Sequence, residues 1–158
     1  MKMKTKLMCL VRILLVVFAC VGFSACSSKD DDDMGTTSTG VGNYYFQLYT
    51  VETNLIDANS GISLKTSLME EWKNANNADS QYRISLGKMD KEKARTTFST
   101  LVNSLLQQYN NAYAGKNLLP ESGYILYSFV VCSDDAYAGA NENKIIQITN
   151  SGAEFVSK

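Results

Sequence analysis

Two pairs of adjacent carboxylates, Glu70-Glu71 and Asp134-Asp135, are the first places in this sequence where acid/base chemistry has its materials. Glu70 and Glu71 fall in a helical pattern beside Trp72, and a solvated helix face accounts for them. Asp134 and Asp135 open an eleven-residue connection, Ser133 to Asn143, that also carries Tyr137, Asn141 and Glu142. Long connections are where function tends to sit, so Asp134, Asp135, Tyr137, Asn141 and Glu142 form the candidate ligand loop. The chain has no histidine. That removes Ser-His-Asp and Cys-His catalysis, His-ligated zinc and imidazole pH switching together. Asp57-x-Asn59 begins like a calcium loop, but Ile62 stands where glycine is required and Leu68 where the bidentate Glu belongs. Asp30-x-Asp32 has Gly35 in the glycine place and then fails at Val41. No phosphate-cradling glycine loop, cysteine pair at metal spacing or Gly-x-Ser-x-Gly elbow occurs. No metal and no cofactor is expected.

The chemistry with the strongest pattern lies at the N-terminus. Met1 to Arg12 carries four positive charges, and Ile13 to Gly22 is an uncharged apolar run of ten. Ten residues are too few to cross about 30 Å of hydrocarbon as a helix, but they suit the apolar region of an export signal. Phe23-Ser24-Ala25-Cys26 follows. This resembles the lipobox of bacterial lipoproteins, in which an apolar residue and two small ones precede an invariant cysteine. The resemblance implies that residues 1–25 are a cleaved signal and that the Cys26 thiol receives lipid. Val17-Phe18-Ala19-Cys20 offers a competing site, with only six apolar residues after Arg12 and bulky Phe18 where a small residue is expected. Cutting before Cys26 also disposes of the cysteines: Cys9 and Cys20 leave, Cys26 becomes a thioether, and Cys132 alone remains. A lone thiol at the end of an apolar strand is expected to be buried and inert.

Residues 26–43 hold no apolar periodicity and are dominated by Gly, Ser, Thr and Asp. Such a segment is expected to be a flexible tether with an end-to-end distance of about 20–25 Å. Its run Asp30, Asp31, Asp32, Asp33 reads most simply as a self-repelling spacer. The same acids, a few places after the lipidated cysteine, resemble the surface-export signal of lipoproteins in the Bacteroidetes group. That resemblance implies an outer-membrane protein facing the cell exterior, held to the bilayer by acyl chains on Cys26. Two or three such chains suffice for lasting anchorage at about 0.8 kcal/mol per buried methylene.

Four of the 15 basic residues lie in the first 25 positions, which contain no acid. Beyond them 11 basic residues face 16 acidic ones, a net charge of −5. An acidic chain without a basic patch is a poor match to a phosphate backbone, so no nucleic-acid partner is expected.

The elements that must carry any site follow from residue 44 onward, in one small domain covering 44–158. Tyr44 to Thr53 alternates as a strand, and Asp57 to Gly61 is turn chemistry. Ser63 to Asn76 has helical spacing, and Gln81 to Leu86 is a short strand. Asp90 caps a long helix whose apolar stripe runs from Ala94 through Phe98, Leu101, Val102, Leu105 and Tyr109 to Tyr113. Tyr124 to Cys132 is a nearly continuous apolar strand, expected to be covered on both faces, and Lys144 to Thr149 is the last strand. The order β-α-β-α-β-β predicts an α+β two-layer sandwich, with both helices on one face of a four-stranded mixed sheet. On this reading the domain is a non-catalytic binding or accessory module of the envelope, taking a glycan, a peptide or an envelope protein. The rival is a small carboxylate hydrolase with its site in the 133–143 loop. Tyrosines on the open sheet face would serve the first.

Overall fold

The computed structural model describes residues 41–134 and 142–157. Cys26, Asp30 to Asp33, Asp135, Tyr137 and Asn141 lie outside the described residues.

The chain forms β1 (Val41–Thr53), α1 (Lys65–Asn76), β2 (Arg83–Asp90), α2 (Lys91–Tyr113), β3 (Ile125–Ser133), β4 (Asn143–Thr149) and β5 (Gly152–Val156). All neighbouring strands pair antiparallel, in the order β2-β1-β3-β4-β5. The expected four-stranded mixed sheet is therefore wrong, although the α+β class and the two helices hold. Two physical reasons explain the error. A parallel return from β1 requires its connecting helix to carry the chain back along the whole strand. Thirteen residues of β1 extend about 43 Å, whereas the twelve of α1 span about 18 Å. β2 therefore runs back beside β1 instead. The helix long enough for a crossover is α2, with 23 residues, and it joins β2 to β3 on either side of β1. β2 and β3 are thus parallel to each other without being neighbours. The second reason is β5, which a tight turn at Asn150 and Ser151 folds back onto β4.

β1 organises the core. Tyr44, Phe46 and Leu48 face the helices, a bulge at Tyr49 resets the alternation, and Val51 faces them again. Phe46 sits at the centre, 5.2 Å from the Phe129 ring, 5.6 Å from Phe98 and 6.3 Å from Trp72. From β3, Ile125, Tyr127, Phe129 and Val131 join the same layer, opposite Ile146 and Ile148 of β4. Leu126, Val130 and Cys132 on the other face are only half-buried, so β3 is not covered equally on both sides.

α2 begins where Asp90 accepts a hydrogen bond from the Lys93 N–H at 2.8 Å. Its eight inward residues are buried, as the 3.6-residue spacing requires. α1 sits on β1, whereas α2 crosses from β2 to β4 and β5.

Strand direction gives the molecule two unlike ends. At the first, Val41 pairs with Asp90, Tyr44 with Ser133 and Ile145 with Val156. Here the chain enters the domain and α2 starts. At the second, Thr53 pairs with Ile125 and Thr149 with Gly152. The length of β1, about 40 Å, separates the ends.

Candidate functional site

The acid-rich connection after β3 belongs to the first end, beside the point of chain entry. Asp134 accepts a hydrogen bond from the Tyr45 hydroxyl at 2.6 Å and lies 3.7 Å from Arg83 Nη1. Arg83 also binds Asp79 at 3.0 Å and lies over the Tyr45 ring at 4.6 Å, on the face opposite the helices. The bond to Asp134 raises the Tyr45 hydroxyl's pKa. Glu142 is held from the other layer, by Arg95 of α2 at 2.6 Å from Nε and 2.5 Å from Nη2. That pairing raises the pKa of Arg95. Asp134 and Glu142 are thus drawn to opposite faces of the sheet, each toward its own arginine, and do not converge as an acid/base pair. Among the described residues no three His, Cys, Asp or Glu lie close enough to hold a metal ion. Cys132 is half-buried with Sγ 3.5 Å from Gln47 Oε1, and burial pushes its thiol pKa up.

The second end is built differently. Three segments meet there: residues 54–64 after β1, 114–124 before β3, and the Asn150–Ser151 turn. Side chains that look like ordinary turn residues in the sequence lock them together. Thr53 donates to the Tyr124 carbonyl at 2.6 Å, while Asn54 donates to Ser122 O at 2.8 Å and accepts from Tyr124 N at 3.0 Å. Asn150 donates to the carbonyls of Leu119 and Pro120 and accepts from the Leu119 N–H, imitating a strand partner. Its own carbonyl receives the Gly115 N–H at 3.0 Å. Gly123 is packed so closely that a Cβ there would lie 2.8 Å from Pro120 Cδ and 3.0 Å from Leu55 Cδ2.

The outermost piece is a narrow turn. Asp57, which opens the failed calcium pattern, spends its carboxylate on the N–H groups of Asn59 and Ser60, both at 3.0 Å. Asp57 N bonds Ile62 O, and Ile56 bridges Ser63 across the turn. Gly61 completes it with φ 68°, where a side chain would be strained. The turn leaves Ile56 and Ile62 exposed, at 62% and 68%. Sequence reasoning missed this pair because isoleucine in an apolar-polar mixture reads as core.

Asn150→Ala removes three side-chain bonds from this end. It is expected to lower unfolding free energy by about 1–3 kcal/mol and to open residues 114–124 to protease, measured by urea denaturation and limited digestion.

The tyrosine surplus is mostly structural. Tyr44, Tyr109, Tyr113 and Tyr127 are buried, and the Tyr45 ring is occupied by Arg83. Among the described tyrosines only Tyr49, at the β1 bulge, is exposed. Among the described residues no platform of open tyrosine rings lies on the sheet for sugars to stack on.

Glu70 and Glu71 are not equivalent. Glu70 pairs with Lys73 and accepts from the Tyr82 hydroxyl at 2.6 Å, and both bonds hold its carboxyl below the usual range. Glu71 is turned inward, and burial raises its pKa.

No protein-family model, curated protein or solved structure matches this chain. The fold and its two ends define a class only: a small α+β domain on one antiparallel sheet, with ion-paired acids at the entry end and knitted loops at the far end.

Proposed function

We propose that the protein is a surface-facing outer-membrane lipoprotein, anchored through Cys26, whose domain is a non-catalytic binding module presenting its far loop end to an envelope partner. The direction of β1 carries this reading. The chain enters at Val41 and reaches the Ile56–Ile62 turn only after crossing the whole sheet. A tether attached at the first end leaves the second end about 40 Å further from the bilayer. Rigid loops with two exposed apolar side chains suit a preformed protein contact, since little order is lost on binding. The separation of Asp134 and Glu142 argues in the same direction, against carboxylate catalysis in the 133–143 loop.

Ile56→Ser combined with Ile62→Ser tests the reading. Both side chains are exposed, so stability should change by no more than about 0.5 kcal/mol. Crosslinking of the lipidated protein in its native membrane should lose specific neighbours that the unaltered protein captures. An unchanged neighbour set places the interface elsewhere.

A further inference from the structure

The end at which the chain enters the domain carries three lysines in six residues. Lys88 lies opposite Asn43 near the end of β2, and Lys91 and Lys93 stand in the first turn of α2. All three are exposed. In the sequence Asp90 and Glu92 alternate with them, yet the fold commits both acids to other bonds. Asp90 caps α2 by accepting the Lys93 N–H, and Glu92 lies 3.3 Å from Arg95 Nη1. Asp134 and Glu142, the described acids that flank the connection after β3, are held by Tyr45 and Arg95. Among the described residues none of the three lysines has a carboxylate within ion-pair distance. Their placement also runs against the helix. Aligned peptide dipoles make a helix N-terminus positive, so cations are favoured in the last turn and not in the first. α2 has Lys91 and Lys93 against one acid, Glu92, in its first turn, and no basic residue in its last. The result is a local positive field on a chain whose net charge beyond residue 25 is −5.

We propose that Lys88, Lys91 and Lys93 form a docking surface for the anionic headgroups of the bilayer that holds Cys26. The proposal rests on the Cys26 anchor. Position favours a bilayer over a soluble polyanion, because only residues 27–40 separate Cys26 from β1. A chain of that length spans about 20 Å on average, so the entry end stays close to the headgroups. Each lysine near an anionic surface strengthens such a contact about fivefold. Ammonium groups suit this partner, since they meet phosphate as point charges and demand no fixed geometry of it. Contact at this end also turns the Ile56–Ile62 turn away from the membrane, the orientation that binding at the far end requires.

The test is acylation of lysines in the processed protein, reconstituted into vesicles and read residue by residue by mass spectrometry. One set of vesicles is phosphatidylcholine alone, the other equal parts phosphatidylcholine and phosphatidylglycerol. Lys65, exposed at the start of α1 beside the far loops, is the internal reference. Relative to it, Lys88, Lys91 and Lys93 should react about fivefold more slowly in the anionic vesicles, and high salt should remove the difference. Lys91→Glu combined with Lys93→Glu should abolish the protection of Lys88. Those changes suit the helix dipole, so the melting temperature should not fall, which separates loss of docking from loss of fold. Should that variant fold poorly, the vesicle comparison on the unaltered protein decides. Flotation with the neutral vesicles reads the anchor separately: protein that does not float there overturns the Cys26 reading and this proposal with it. Protein that floats but labels equally in both vesicles overturns this proposal alone, whether the lysines stay free or Asp30 to Asp33 occupy them. Equal protection by inorganic phosphate in neutral vesicles overturns it as well.

Discussion

Cys26→Ala should leave the chain without lipid, as an uncleaved precursor or a freely soluble product. The effect is close to all-or-none because the proposed anchor is covalent and no other segment replaces it. Among the described residues no helix is long and apolar enough to cross a membrane. Residues 13–22 are too short to take over as a stable span. A diacylated cysteine contributes about 0.8 kcal/mol for each buried methylene, far beyond what exposed isoleucines offer a bilayer. Metabolic labelling with a radioactive fatty acid measures the effect directly. Label retained in Cys26→Ala would refute the assignment, and label retained there but lost in Cys20→Ala would move the anchor to Cys20.

Phe46→Ala should cost about 3–5 kcal/mol, the range for deleting a large ring from a packed core. Phe46 is fully buried and touches aromatic rings from three other elements: Trp72 of α1, Phe98 of α2 and Phe129 of β3. Those rings are pinned by their own neighbours and cannot collapse into the space without moving a helix off the sheet. Domains of this size have about 5–15 kcal/mol in total, so the variant should be close to unfolding at body temperature. The melting temperature should fall by more than about 10 °C. A loss below about 1 kcal/mol would mean that the two helices are not joined to β1 through this ring.

Which parts of this fold were legible in the sequence depends on the physics that formed them. α2 was, because a 23-residue amphipathic pattern with an Asp90 cap has few other solutions. The inward row Tyr44, Phe46, Leu48 was legible for the same reason, at period two. β5 was not: Gly-Ala-Glu-Phe-Val carries little β-branched signal, and its strand exists through pairing with β4. Strand direction was not legible either, since it turns on comparing the length of α1 with that of β1. Acids drew attention to Asp134 and Glu142, whose charges the fold spends on Arg83 and Arg95. Thr53, Asn54 and Asn150 build the far end through bonds to backbone groups distant in sequence, and nothing local announces them. Glu71 differs from Glu70 only through a rotation of about 100° around α1.

In the proposed arrangement the tether holds one end of the sheet and the knitted loops stand at the other. Fluorescent labels on cysteines placed at Ser60, in the far turn, and at Lys88, beside the entry strand, would test it in a Cys132→Ser background. Energy transfer to headgroup-labelled lipid in proteoliposomes of the lipidated protein should be clearly stronger from position 88 than from position 60. Equal transfer, or stronger transfer from position 60, would contradict it.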